Sequence, residues 1–257
     1  TSPCKYKPQR ISIAMPKNTK VALIIGAGDA IGSAIMRKFS QQGLTVCGAR
    51  RHGEKLDALV AELTADGRPA FNFSCDARRE DAIEKLFATI ESSIGEIDVV
   101  VFNVGANVPM GLLQTDSKKF FKIWEMSCYA GFLSGREAAR YMLKRQRGTI
   151  IFTGATASVR GSAGFAAFAS AKHGLRALAQ SMARELGPQN IHIAHVVIDG
   201  GVDTEWVRDN VSDFEHRKSQ NGIINPDDLA ENYIWLYQQP PNAWTFELDL
   251  RPWQEKW

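Results

Sequence analysis

The chain has 257 residues, 44% hydrophobic and 23% charged, a profile that fits one globular domain with a large core. Its net charge of +3 is spread along the chain, too small and too scattered to argue for nucleic acid or a membrane surface as partner. No apolar run approaches the roughly 18 residues that cross a bilayer. The four cysteines, Cys4, Cys47, Cys75 and Cys128, show neither a CxxC pair nor metal-ligand spacing, so buried thiols, a cytoplasmic setting and no metal are expected.

The first twenty residues carry Lys5, Lys7, Arg10, Lys17 and Lys20 and no acid. Residues 1–19 are read as a basic tail, and a targeting leader for organelle import has the same composition. From residue 20 to 257 short apolar runs alternate with helical periodicity. Val21-Ala22-Leu23-Ile24-Ile25 is continuously apolar and ends in glycine, as a strand buried on both faces does. Ile31, Ile35, Met36 and Phe39 share one helical face, with Gly43 placed to stop the helix. Thr45 to Ala49 forms a second strand, and Leu56, Leu59, Val60 and Leu63 mark a second helix. A third strand spans 71–75, a third helix carries Ile83, Leu86, Phe87, Ile90 and Ile94, and Val99 to Phe102 is a fourth strand. The pattern then predicts one long helix over 117–144, a strand at 149–152, a helix over 165–186, a strand at 191–198, a helix opened by Pro226, and a last strand at 245–250. This is βαβαβ written twice. It predicts one doubly wound α/β domain of Rossmann type, a mostly parallel seven-stranded sheet whose first six strands run 3-2-1-4-5-6. Residues 203–225 are polar and break the rhythm, as a substrate lid would.

The first strand opens into Gly26-Ala27-Gly28-Asp29-Ala30-Ile31-Gly32. Glycines there let the backbone approach a pyrophosphate, and the following helix offers its positive N-terminus. Arg50 and Arg51 follow the second strand. Guanidinium suits the 2′-phosphate of NADP, whereas Asp29 would repel it. NADP(H) is favoured and NAD(H) stays possible.

These segments resemble the short-chain dehydrogenase/reductases from Lys20 onward. The family's GxxxGxG loop is matched by Gly26, Ala30 and Gly32, and its Asn-Asn-Ala-Gly segment by Phe102-Asn103-Val104-Gly105. The resemblance implies dinucleotide contacts from Gly26, Gly28, Asp29, Ile31 and Gly32. It places Asp76 and Ala77 at the adenine, and Asn103, Val104 and Gly105 along the groove. Val202 and Thr204 match positions that hold the nicotinamide carboxamide, and Lys172 the lysine that binds its ribose. It further implies a small-molecule substrate and a homotetramer or homodimer, paired through the helices at 117–144 and 165–186. The second of these carries Ala167, Ala171 and Gly174.

The catalytic group departs from the family. Its Tyr-x-x-x-Lys motif reads Phe168-Ala169-Ser170-Ala171-Lys172 here, the serine thirteen residues earlier is Ala155, and the asparagine position falls on Ser127. Phenylalanine has no proton to give, and loss of a general acid costs roughly 10²–10⁴-fold in rate. Thr156 and Ser158 are the hydroxyls best placed to substitute. Three readings follow: an oxidoreductase on an unidentified small molecule, a pseudoenzyme that binds dinucleotide as a sensor or regulator, and an interaction protein that keeps only the fold. His192 and His195 lie three apart on a strand, facing opposite sides, and are read as structural.

Overall fold

The computed structural model describes residues 19–105 and 107–255, so most of the basic tail lies outside the described residues. Seven strands form one sheet: β1 (Lys20–Ile25), β2 (Thr45–Arg50), β3 (Ala70–Ser74), β4 (Glu96–Phe102), β5 (Gly148–Thr153), β6 (Ile191–Ile198) and β7 (Glu247–Leu250). Their order is β3-β2-β1-β4-β5-β6-β7, with every pair parallel. The order expected for six strands is present, with β7 added beside β6. The chain winds outward from β1 to β3, then restarts at β4 on the other side of β1. That reversal opens a crevice at the carboxyl ends of β1 and β4, the place where such sheets bind ligands.

The helices are α1 (Ile31–Gln41), α2 (Asp57–Ala65), α3 (Glu80–Ser93), α4 (Ser117–Trp124), α5 (Ala130–Arg145), α6 (Ala166–Leu186), α7 (Glu205–Asn210), α8 (Phe214–Ser219) and α9 (Pro226–Gln238). Alternation along each strand feeds two cores. In β1, Val21, Leu23 and Ile25 point into one core with Phe87, Phe102 and Met142, while Ala22 and Ile24 join Phe39, Leu63 and Tyr233 on the other face. Full burial of such side chains is worth about 1.5–3 kcal/mol each. It is also why these strands read as unbroken apolar runs. Tyr233 of α9 is fully buried and its hydroxyl lies 2.8 Å from Thr153 Oγ1, which fixes the tip of β5.

The structure departs from the sequence reading in three places. The helix expected over 117–144 is divided by a π turn, Glu125–Tyr129, between α4 and α5. A π turn inserts one residue into a helical rhythm and leaves the apolar period readable on both sides, so the sequence reads through it. The last strand begins at Glu247 because Thr245 is drawn aside, its N–H donating to Gln239 Oε1 at 2.7 Å. The segment 203–225 is built of α7, α8 and a parallel bridge between Val202 and Ile224, around a small core of Val207, Phe214 and Ile223. Asp203 pins it by pairing with Arg208 at 2.6 Å and Lys218 at 2.8 Å. Among the described residues no helix is long and apolar enough to cross a membrane.

Candidate functional site

A groove of about 630 Å³ runs along the carboxyl ends of β1 to β4, within the range of small-molecule and cofactor sites. It gathers Gly26, Gly28, Asp29, Ile31, Gly32, Arg50, Arg51, Asp76, Ala77, Asn103, Val104, Gly105 and Thr204. Two predicted cofactor-binding residues stand outside its lining. Val202 is buried and bridged to Ile224. Lys172 sits immediately behind the wall, its Nζ donating to Val104 O at 3.3 Å.

Close approach explains the glycines. Gly26 has φ +86, and a Cβ on it would stand 2.7 Å from the backbone of Asn103, whose own Nδ2 donates to Gly26 O at 3.2 Å. A Cβ on Gly32 would stand 2.6 Å from Ala27 Cα, whereas one on Gly28 would meet nothing within 4 Å. The loop is therefore tight at both ends and open toward the groove in the middle. α1 begins at Ile31 with no side-chain cap and no acidic residue in its first turn; the Ser33 N–H is taken by Gly28 O at 2.9 Å, while Ile31 and Gly32 of the first turn line the groove. This cradle fits a phosphate-bearing ligand.

The groove's charged tips are paired. Arg50 Nη1 lies 2.6 Å from Asp29 Oδ1, which joins two residues whose charges pull cofactor choice in opposite directions. Two guanidiniums, Arg50 and Arg51, then stand against the single carboxylate of Asp29. Asp76 is held bidentately by Arg78, Nε to Oδ1 at 2.9 Å and Nη2 to Oδ2 at 2.5 Å, and this pairing holds the Asp76 carboxyl below the usual range. The sequence reading passed over Arg78, Met126, Trp206 and Arg208, all of which line the groove. The i, i+2 spacing of Asp76 and Arg78 was a usable signal. The others come together only through the fold.

Beyond the groove, at the ends of β5 and β6, the surroundings change. Phe168 packs in an apolar cluster with Ile123, Ala157, Ala167, Ala169 and Ala171, and Ala155, Trp124 and Met110 close around it. The Phe168 ring centroid is 5.9 Å from Lys172 Nζ. Lys172 is 4% exposed and donates to Thr153 O at 2.8 Å. Burial lowers its ammonium pKa to about 8. Ser127 sits in the π turn, fully buried, with no hydrogen-bond partner for Oγ among the described residues.

The two candidate substitute hydroxyls are engaged elsewhere. Thr156 Oγ1 donates to Asp199 Oδ1, and Ser158 Oγ is fully buried and accepts from the Ala155 N–H at 3.1 Å. Asp199, unremarked from sequence, is 1% exposed and also pairs with Arg251 at 3.1 Å. The histidines are tied into the scaffold. His192 stacks on Trp244 at 4.9 Å and bonds Thr245 O, while His195 Nδ1 meets Glu247 Oε2 at 2.9 Å. Among the described residues no cluster of three metal-ligating side chains forms.

The model of the short chain dehydrogenase family matches residues 20–214. A solved short-chain dehydrogenase from Rhodopseudomonas palustris is 48% identical with a TM-score of 0.80, over 92% of this chain and 100% of that one. A metagenomic short-chain oxidoreductase solved in complex with NADP is 28% identical with a TM-score of 0.77, over 91% and 97%. The 2,3-dihydro-2,3-dihydroxybenzoate dehydrogenase of Bacillus subtilis is 28% identical over 232 residues, 84% of this chain and 88% of that protein. With the family's sheet order, its glycine loop at the β1–α1 turn and its model matched over most of the sequence, the chain belongs to the short-chain dehydrogenase/reductase family.

Proposed function

We propose that the protein binds NADP(H) in this groove, with NAD(H) the weaker ligand, and is an oxidoreductase that exchanges hydride with an unidentified small molecule at a site without the family's tyrosine and serine. The Arg50–Asp29 pair supports the cofactor preference. It offsets the repulsion that Asp29 alone would exert and leaves Arg51, whose charge also acts on Asp76, as the second cation available to a 2′-phosphate. The NADP in the metagenomic relative agrees. Gly26, Ile31 and Gly32 would cradle the pyrophosphate and Asp76 would accept from the adenine amine. Val202, Thr204 and Lys172 would hold the nicotinamide end.

The observation that carries the chemical reading is the packing of Phe168 and Ala155 into one apolar cluster beside Lys172. Bound dinucleotide supplies the hydride donor or acceptor; everything else must come from the chain. Phe168 and Ala155 offer the substrate carbon, not a donor for a developing oxyanion. Lys172 is held on Thr153 O and Val104 O, and Thr156 has its proton committed to Asp199. The substrate of such a site carries its own proton source or needs none. A pseudoenzyme that senses dinucleotide is the second reading, favoured by the same packing. Turnover of carbonyl and enone substrates with NADPH separates the two: measurable NADPH oxidation with any of them supports the enzyme, and tight binding with none supports the sensor.

A cytoplasmic homodimer or homotetramer is part of this proposal. Supporting it, an aromatic row of Phe121, Trp124, Tyr129 and Phe132 stacks along α4, the π turn and α5 at centroid spacings of 6.2–6.4 Å. Phe121 and Phe132 in it are exposed. A monomeric mass at micromolar concentration would count against assembly.

A further inference from the structure

Asp76 and Glu125 lie 49 residues apart in sequence, one just after β3 and the other opening the π turn, yet a single guanidinium joins them. Arg78 gives the two donors of one edge to Asp76 and sets Nη1 3.5 Å from Glu125 Oε2. All three side chains are about three-quarters buried, at 24%, 26% and 27% exposure, and both Asp76 and Arg78 line the groove. An ordinary surface ion pair contributes little to stability and needs no place inside a ligand groove.

The way Arg78 is held decides what it can bind. A guanidinium grips a phosphate through two parallel N–H donors on one edge. Here the edge formed by Nε and Nη2 is already spent on Asp76, and Nη1 is turned toward Glu125. The flat faces remain, and guanidinium faces stack on aromatic rings. Asp76 is not used up by this arrangement, because an ionised carboxylate has about four lone-pair sites; Arg78 takes two through its side chain and one through its backbone N–H at 3.2 Å, which leaves one. It can hold Arg78 and still accept from an exocyclic amine.

We infer that Arg78 is a purine-binding residue, a guanidinium plate that packs on the adenine of the dinucleotide, with its edges fixed by Asp76 and Glu125. The inference rests on the dinucleotide reading above. It also links the adenine end of the groove to the π turn that carries Ser127. Arg78 contacts the base and Glu125 is a positioning residue that acts through it.

Calorimetric titration of the full chain with four probes tests this: NADPH, ADP, nicotinamide mononucleotide and inorganic pyrophosphate. Arg78→Leu is expected to weaken NADPH and ADP about 10-fold, the size of a desolvated cation–π contact, and to leave nicotinamide mononucleotide and pyrophosphate unchanged. Arg78→Lys recovers less than half of the loss, since an ammonium has no plane to stack. Glu125→Gln costs about 3-fold on ADP, because one anchor of the plate is neutralised. If Arg78→Leu fails to fold, the Arg78→Lys and Glu125→Gln titrations carry the test by the same criteria. Equal ADP affinity in the wild type and the Arg78 variants overturns the inference. So does a matching loss of pyrophosphate, which would make Arg78 a phosphate ligand. If the wild type binds neither NADPH nor ADP, the dinucleotide reading falls and takes this inference with it.

Discussion

The two halves of the sheet's carboxyl edge have kept different things. Around β1, β2, β3 and the tip of β4, backbone and side chains are arranged for a ligand: glycines with no room for a Cβ, an uncapped helix N-terminus and paired charges lining an open groove. Around β5 and β6 the polar groups face inward to each other. Thr156 turns to Asp199, Ser158 to the Ala155 N–H and Lys172 to two carbonyls, while Phe168 and Ala155 present carbon. A phenyl ring fills a phenol's space at almost no structural cost, so the second half can lose acid–base chemistry without disturbing the first. On the proposed function, binding and proton transfer are separable in this fold because they are built on different strand tips.

The comparison can be broken hardest from the binding side. Gly26→Val puts a branched side chain at φ +86 against the Asn103 backbone 2.7 Å away. NADPH affinity should fall at least about 100-fold and stability by about 2–4 kcal/mol, read by calorimetry and thermal melting. If the variant binds as the wild type does, the loop is not the cradle described.

Next in size is the acid response of the scaffold beneath the substrate side. Burial pushes the His195 pKa down to about 4. The unfolded chain therefore takes up a proton near pH 6.5 that the folded chain refuses until about pH 4. Stability is complete above that window and is lost as pH falls through it, by about 3 kcal/mol. Glu247, whose carboxyl is held low chiefly by Arg176, adds loss in the same direction at lower pH. Urea melts between pH 7 and 4 measure the slope, and His195→Asn should flatten it. An unchanged slope in that variant would place the acid sensitivity elsewhere.

The substrate side is sharpened by restoration. Phe168→Tyr with Ala155→Ser should raise residual ketone reduction about 10–100-fold, short of the full contribution of a general acid because the restored groups lack the family's asparagine at Ser127. No gain would mean that the surrounding packing, and not the two missing groups, sets the rate. The smallest effect concerns cofactor choice. Arg51→Asp should shift the ratio of NADPH to NADH affinity about 10-fold toward NADH, and a wild type that already prefers NADH would assign the decision to Asp29.

Much of this was legible in the sequence. Continuous apolar runs in β1, β4 and β6 announced strands buried on both faces, and the glycines announced the cradle between β1 and α1. That Phe168 stands four residues before Lys172 needed only counting. What stayed hidden depends on distance in sequence. Asp199 meets Thr156 across 43 residues, and Arg78 faces Glu125 across 47. The π turn was invisible for another reason: one inserted residue shifts the phase of a helix without erasing its apolar stripe. The segment 203–225 looked formless because its core is only three large side chains.

The central claim is that the groove binds dinucleotide while the neighbouring site lacks a proton donor for ketones. The most direct measurement pairs NADPH titration with steady-state turnover of simple aldehydes and ketones on the same wild-type preparation. Micromolar binding with turnover far below one per second, at the foot of the usual enzyme range, is the predicted result. Wild-type reduction of a simple ketone at several per second would contradict it, and the Thr156–Asp199 pair would then be the first place to look for the missing acid.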